Sequence, residues 1–469
     1  MNELPITVSL TDDKKLYEQV YERIREEIRL RNLKEGEKLP SARKLAEDLQ
    51  ISRTTVDVAY GQLEAEGYIE ARPRSGFYVA APEEFFDTEE SSYSSQGNEP
   101  VSKAIPKEWL YDFSPFGLDL GEFPYASWKK INRRLLSEDG SRFLKAGDPQ
   151  GDLELRETIC RYLHGSRGVS VRPEQIIVGA GNDYLLLLLE KLLDGEKRIA
   201  FEDPSYVRAQ KIFHSFGYET VPIPVDESGM KTEELASSGA QLAYVMPAHQ
   251  YPLGIVMPLR RRTELLQWAQ SKPERFLIED DYDSEFRYHG KPIPALMGLD
   301  RSGSVIYLGT FSKTLSPSIR FSFMCLPEKL LKRYRERLYF YSSTVSRIDQ
   351  AALTEFLRDG YFERYLNKMR KIYRRRHDLV LELLEPLRGE YEISGENAGL
   401  HLVLTGKNGR SARETIQKAE TAGVKLYFCK EEDQYENAGA FDCSVILGYG
   451  GMKETELEAG IKLLADVLL

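Results

Sequence analysis

Lys313 stands between Ser312 and Thr314 in the run Gly309-Thr310-Phe311-Ser312-Lys313-Thr314-Leu315-Ser316-Pro317-Ser318-Ile319-Arg320. The apolar stretch before it, Val305-Ile306-Tyr307-Leu308, reads as a buried strand, so the lysine falls just past a strand end. A lysine becomes a nucleophile when burial or a neighbouring cation lowers its pKa, and its amine then forms imines with aldehydes. Thr310, Ser312 and Arg320 add hydroxyl and guanidinium donors suited to a phosphate. An imine-forming lysine beside a phosphate clamp is the donor set for pyridoxal 5'-phosphate. An isolated Ser-Lys pair is more often a solvated loop. What raises this one above that reading is a set of partners at other strand ends.

Those partners need a scaffold. From Trp109 onward, short apolar runs alternate with helical patterns: Ile176-Ile177-Val178, Arg198 to Phe201, Leu242 to Met246, Phe276-Leu277-Ile278 and Val305 to Leu308. This predicts an α/β domain with a large, mostly parallel sheet, whose ligands collect at the strand C-termini. Gly179-Ala180-Gly181-Asn182 follows the first strand and opens a helix over Asp183 to Leu193. There Gly181 and Asn182 would let the backbone approach a phosphate at a helix N-terminus. Tyr206, in Asp203-Pro204-Ser205-Tyr206, is placed to stack on a flat heteroaromatic ring. The cluster Glu279-Asp280-Asp281-Tyr282-Asp283 allows a metal or, alternatively, a carboxylate that keeps a pyridine nitrogen protonated, with a phenol for the ring hydroxyl. The metal reading needs further ligands, and nothing in the sequence singles them out; no metal is expected.

The first eighty residues have a different pattern. Leu16, Tyr17, Val20, Tyr21, Ile24 and Ile28 repeat at helical spacing. Ser41 can cap a short helix carrying Leu45, Ala46 and Leu49; after a tight turn, Ser52 can cap a second carrying Val56, Tyr60 and Leu63. Gly67 suits a left-handed terminus. Tyr68 to Ala71 and Phe77-Tyr78-Val79 flank Arg72-Pro73-Arg74-Ser75-Gly76, a hairpin with a basic tip. A helix-turn-helix followed by such a wing enters the major groove by the start of its second helix. The expected contacts to double-stranded operator DNA are Arg43, Ser52, Arg53, Thr54, Thr55, Tyr60, Arg72 and Arg74, with Arg53 suited to a guanine edge. The bland alternative is a small helical interaction module with solvated arginines. The run Leu39-Pro40-Ser41-Ala42-Arg43-Lys44-Leu45-Ala46 and Ser52-Arg53-Thr54-Thr55-Val56 resembles a GntR-type winged helix-turn-helix, which implies that the wing glycine, Gly76, also meets DNA.

Totals bound the rest. The 469 residues suffice for two or three domains, and a net charge of −10 confines nucleic-acid binding to a local basic patch. Cys160, Cys325, Cys429 and Cys443 form neither a CxxC pair nor a metal spacing. The N-terminus lacks signal-peptide character and no apolar run is long enough for a bilayer, so a cytoplasmic protein with no membrane partner is expected. Residues 81–107 are acidic and poor in hydrophobics, which predicts a flexible linker between a DNA-binding domain at 1–80 and a domain at 108–469.

Together the motifs make a wider resemblance. Residues from about 108 onward resemble a fold-type I aminotransferase-like domain with a smaller C-terminal α/β subdomain. With the head in front, the chain is similar to MocR/GabR-type transcription regulators. The resemblance rests on Glu202-Asp203-Pro204-Ser205-Tyr206, Pro247-Ala248-His249-Gln250-Tyr251-Pro252, Glu279 to Phe286 and Gly309 to Lys313. It implies pyridoxal 5'-phosphate on Lys313, Asp280 at the pyridine nitrogen, Tyr282 at the ring hydroxyl and Tyr206 stacked on the ring. Gly181, Asn182, Thr310, Ser312 and Arg320 would surround the phosphate. Arg208 would meet the carboxylate of a small amino-compound effector, with His249 and Tyr251 beside it. A homodimer is implied, with a linker long enough to exchange heads between subunits. Two departures stand out. Tyr251-Pro252-Leu253-Gly254 replaces the Asn-Pro-x-Gly of aminotransferases. No arginine follows Arg413, and Gly451 stands where the family clamps a substrate carboxylate. The expectation is therefore a regulator that senses an amine (a small or D-amino acid, a dipeptide) or the cofactor itself, without full transaminase turnover. The alternatives are an active aminotransferase with an appended head and a cofactor-free repressor scaffold.

Overall fold

The computed structural model describes residues 14–80, 108–138, 140–195, 197–288, 293–407, 409–430 and 442–469. The chain divides into two compact units, residues 1–107 and 108–469. The expected linker at 81–107 lies outside the described residues.

In the first unit, Val20, Tyr21, Ile24 and Ile28 line one face of α1 (Leu16–Arg29) and enter a small core with Leu45, Val56, Tyr60, Leu63, Ile69 and Val79. Ser41 caps α2 (Ala42–Leu49), its Oγ accepting from the Lys44 amide at 3.2 Å. Gln50, left-handed at φ 55°, turns the chain out of α2. Ser52 then caps α3 (Arg53–Ala65), and Gly67 follows at φ +78°. The hairpin β1 (Ile69–Arg72) and β2 (Gly76–Val79) pairs Ile69 with Val79 and Arg72 with Gly76.

The second unit opens with β3 (Tyr111–Asp112). Its large sheet contains β4 (Ile176–Gly179), β5 (Arg198–Asp203), β6 (Glu219–Asp226), β7 (Gly229–Met230), β8 (Leu242–Val245), β9 (Phe276–Asp281), β10 (Val305–Thr310) and β11 (Ser322–Cys325). The spatial order is β4-β11-β10-β9-β8-β5-β6-β7. Strands β10, β9, β8, β5 and β6 run parallel; β11 is antiparallel to both neighbours and β7 to β6. Alternate side chains enter opposite cores. Ile177, Phe201, Tyr244, Ile278 and Ile306 pack on one face, and Ala200, Ala243, Val245, Leu277 and Val305 on the other. Burial on both faces explains why the strands appear in the sequence as unbroken apolar runs. The helix after β4 spans Asn182–Glu190, shorter than the expected Asp183 to Leu193.

A smaller antiparallel sheet follows the 24-residue helix Tyr361–Leu384. It consists of β12 (Tyr391–Ser394), β13 (His401–Gly406), β15 (Tyr427–Phe428) and β16 (Ser444–Gly448), in the order β12-β13-β16-β15. The short β14 (Val424–Lys425) pairs in parallel with β3. The Gly448 amide donates to the Phe113 carbonyl at 2.8 Å, so residues 111–119 run as a strap along this subdomain toward the ends of the large sheet.

Candidate functional site

The strand ends bring most of the expected cofactor residues together. A cleft of about 180 Å³ is lined by Gly181, Asn182, Tyr206, Arg208, Tyr251, Asp280, Tyr282, Thr310, Ser312, Lys313 and Arg320. In-register pairing of β9 with β10 sets Asp280 beside Leu308, and the next turn of chain brings Lys313 over the same opening.

The carboxylate cluster separates by partner. Glu279 accepts from the Leu296 and Met297 amides at 2.7 and 2.8 Å. Asp281 accepts from Arg167 Nε at 2.6 Å and the Tyr307 hydroxyl at 2.5 Å. Asp283 faces His249 Nδ1 at 2.9 Å. Of the cluster's acidic residues only Asp280 lines the cleft, where it accepts from the Tyr244 hydroxyl and, at 3.4 Å, from Asn182 Nδ2. Among the described residues no group of acids, histidines and cysteines could hold a metal.

Burial pushes the Asp280 carboxyl up to about 7, with the Tyr244 hydrogen bond opposing and Asp281 and Asp283 adding to the rise. A cation facing it would reverse that rise, and a protonated pyridine nitrogen is such a cation. Burial likewise pushes Lys313 down to about 8, Asp283 opposing. Lys313 Nζ donates to the Pro115 carbonyl at 2.6 Å and lies 5.3 Å from the centre of the Phe116 ring. Desolvation thus disfavours the ammonium and leaves a nucleophilic amine near neutral pH. The rate at which the protein captures pyridoxal 5'-phosphate is therefore expected to rise about tenfold per pH unit at low pH, to bend near pH 8, where Lys313 is half deprotonated, and to be flat about one unit above. An unshifted lysine would keep accelerating to about pH 10. Stopped-flow absorbance across that range distinguishes the two.

The residues expected around a phosphate lie together at one end of the cleft. Gly181 sits at the N-terminus of the helix Asn182–Glu190 at φ +97°, and a Cβ there would overlap the Arg320 guanidinium. Arg320 is left-handed at φ 48° and reverses the chain into β11. Thr310 Oγ1 accepts from the Ser312 amide at 3.1 Å, and Ser312 Oγ accepts from the Phe321 amide at 3.1 Å. Thus both hydroxyls also brace the turn that presents Lys313. Tyr206 and Tyr251 meet edge to face at 6.3 Å across the cleft.

One effector expectation changes. His249 is not a cleft residue: it is buried behind Tyr282, whose hydroxyl lies 3.0 Å from its Nδ1, and it packs against His401 at 5.3 Å between ring centres. It supports Tyr282 instead of facing a ligand. Arg208 does line the cleft but approaches Asp183 Oδ2 at 3.8 Å, the same oxygen that Arg320 Nη2 meets at 3.3 Å. Sequence reasoning also missed Phe116, Tyr244 and Asp183. Where a clamp arginine would stand, Gly451 packs against the strap, and a Cβ on it would come within 3.1 Å of Gly117 Cα.

In the head, Ser52, Arg53 and Thr54 are exposed at the start of α3 and Thr55 is half-buried. Ser52 Oγ accepts from the Thr55 amide at 3.1 Å. Arg53 Nε lies 3.4 Å from Asp57, and Arg43 Nε 3.1 Å from Glu47. At the wing, Arg72 lies over the Tyr78 ring at 4.3 Å, Arg74 is left-handed at φ 62°, and Gly76 has φ +111°. Tyr60 corrects the expected set: its side chain is fully buried and its hydroxyl donates to the Pro40 carbonyl at 2.9 Å, which removes it from the outer face of α3. Val58, exposed on that helix, was not anticipated and can offer an apolar contact to a thymine methyl.

Comparison with known proteins assigns a family to each of the two units. Residues 16–79 match the family of bacterial regulatory proteins, gntR family, and residues 115–428 match aminotransferase class I and II. The chain is 40% identical over 457 residues to the HTH-type transcriptional regulator YdeL of Bacillus subtilis (strain 168), covering 97% of each chain. It is 34% identical to the probable rhizopine catabolism regulatory protein MocR of Rhizobium meliloti (97% of this chain, 94% of that one). It is 30% identical to the HTH-type pyridoxine biosynthesis transcriptional regulator PdxR of Corynebacterium glutamicum (99% of each). Among solved structures, a kynurenine aminotransferase of Pyrococcus horikoshii, in complex with PMP, superposes with a TM-score of 0.68 at 25% identity, over 77% of this chain and 91% of that one. A gntR-family head and an aminotransferase class I and II domain, joined in one chain and matched over its full length by such relatives, place this protein in the MocR family of transcriptional regulators.

Proposed function

We propose that this regulator binds pyridoxal 5'-phosphate on Lys313 and uses it to sense a small amino compound, thereby altering how its head engages operator DNA. The observation that carries this reading is the convergence of Lys313, Asp280 and Arg320, from three different strand ends, on one cleft. When bound, the cofactor supplies an aldehyde that takes up amines and a ring that draws electrons. The chain's own residues set the conditions. Asp280 holds the pyridine side, Tyr244 and Asn182 fix the orientation of its carboxyl, and Arg320 with the helix N-terminus at Gly181 receives the phosphate. Lys313 bonds to Pro115 on the strap, so any change in the state of its amine also changes what holds the strap. Arg208, at the cleft rim, is the nearest candidate for an effector's anionic group. We further propose a homodimer that presents two heads to paired half-sites.

The likeness to aminotransferases favours a second reading, full transaminase turnover. Tyr251 in place of the usual asparagine and the strap packed on Gly451 weigh against it. One experiment separates them. Cofactor-loaded protein is titrated onto an operator fragment with D- and L-amino acids, dipeptides and added pyridoxal 5'-phosphate, and incubated in parallel with amine and keto acid. The proposal expects at least about a fivefold shift in DNA affinity with one amine class. A response to pyridoxal 5'-phosphate alone would make this a vitamin sensor. Sustained keto-acid conversion would support the enzyme reading.

A further inference from the structure

At the other end of the large sheet lies a second cleft, of about 590 Å³, lined by residues that precede β9 and β10 and by the opening turn of the helix Glu328–Arg337. It is separated from the cofactor cleft by the length of β9, roughly 15–20 Å. No residue lining one lines the other.

Arg275 is its central feature. The residue is only 9% exposed, yet among the described residues its guanidinium meets no carboxylate. It lies over the Trp268 ring at 4.7 Å, and its Nη1 donates to Ser271 Oγ at 2.6 Å and to the Trp268 carbonyl at 3.3 Å. Its Nε is buried with no partner. The guanidinium is thus rigidly held but not neutralised, and burial holds it below its ordinary pKa. A buried charge without a counter-ion is unfavourable, and a fixed guanidinium is a strong oxyanion receptor because its fork needs little further ordering.

The surroundings carry the same sign. Lys272, Arg301 and Lys329 join Arg275 in the lining. The two acids there are both engaged. Asp300 accepts from the Ser302, Ser304 and Val305 amides at 2.8, 2.6 and 3.0 Å, and Glu328 pairs with Arg172. Lys329 is partly offset by Glu274. The cleft retains an excess of positive charge around a concave space of mixed polar and apolar lining.

We propose that this cleft is a second small-molecule site, which takes a compact, multiply charged oxyanion of the phosphate class seated on Arg275, with Lys272 and Arg301 at its rim. The proposal does not rest on the cofactor reading, because the two clefts share no residue. A ligand here would bind the same unit that holds the first cleft without competing for it.

The test is calorimetric titration of the full chain, previously loaded with pyridoxal 5'-phosphate to fill the first cleft, with inorganic pyrophosphate at low ionic strength. One site per chain is expected. Arg275→Gln should weaken binding about 10- to 100-fold, as for loss of a charge-assisted hydrogen-bonding group. Lys272→Gln with Arg301→Gln, both at exposed positions, should weaken it several-fold while leaving the melting temperature unchanged. If Arg275→Gln fails to fold, the rim variant decides alone, and wild-type affinity in it overturns the proposal. Absence of binding, unchanged affinity in a folded Arg275→Gln, or binding abolished by Arg320→Gln instead would also overturn it. Binding of duplex DNA but not pyrophosphate at this surface would make it a nucleic-acid contact and equally reject the small-anion site.

Discussion

Lys313→Ala protein mixed with pyridoxal 5'-phosphate is expected to lack the visible band, at roughly 420 nm, that the native chain should develop. The expectation follows from geometry. Lys313 is the lysine that lines the cleft containing Asp280 and Arg320, and burial lowers its pKa to about 8. Most other lysines described here are exposed and carry a full ammonium shell of water, which keeps them poor nucleophiles at neutral pH. The end of the cleft proposed to receive the phosphate is untouched by the substitution, so the variant should still hold the vitamin weakly and reversibly through Arg320 and the helix terminus at Gly181. Dialysis should then strip it, whereas borohydride treatment of the native protein should leave a permanent adduct that peptide mapping places on Lys313. An unchanged spectrum in Lys313→Ala, or an adduct mapped to a different lysine, would show that the amine has been misassigned. Loss of the band should be accompanied by loss of any amine effect on DNA affinity while basal DNA binding persists, because Lys313 lies in the second unit and the gntR-family head in the first.

Much of this scaffold was legible because a strand buried on both faces has to be apolar along its whole length. Ile176 to Val178, Leu242 to Val245 and Val305 to Leu308 could hardly be anything else. Strand β6 was hidden for the opposite reason: Pro222 and Pro224 argue against a strand, yet they are tolerated near the sheet margin, where they are exposed. The antiparallel β11 was masked because the turn at Arg320 reads as a phosphate loop, not as a chain reversal. Within the site, the residue types suggested a chemistry but not the directions of the side chains. Glu279, Asp280, Asp281 and Asp283 look equivalent in a row; their separation depends on Arg167, Tyr307, Leu296 and His249, which are distant in sequence. His249 sits within a recognisable motif and still points away from the cleft. Phe116, nearly two hundred residues before Lys313, reaches it through a strap that has no periodicity to betray it. Tyr60 shows the same limit in the head, since helical phase places it inside while its position near Arg53 suggests the surface.

Arg53→Ala should weaken binding to a cognate operator by about 10- to 100-fold and relax base preference at one position of each half-site. Arg53 opens α3, with its side chain 70% exposed and, among the described residues, paired with Asp57 one turn later, at 3.4 Å. An exposed pair of this kind contributes little to stability, so the melting temperature should barely move. In the complex, the guanidinium would exchange a solvated carboxylate for a guanine edge, whose two acceptors match its fork. Arg43 and Arg72 give the contrast. Both are exposed and paired with neighbouring acids, and they suit phosphates, so replacing either should weaken all sequences alike and lower the salt dependence by about one counter-ion. Anisotropy titrations on the cognate site and on single-base variants, at two salt concentrations, separate the patterns. If Arg53→Ala binds every sequence with uniformly reduced affinity, the residue holds the backbone and base reading lies elsewhere on α3, with exposed Thr54 and Val58 the next residues to replace. If affinity is unchanged at moderate salt, α3 is not the helix that enters the groove.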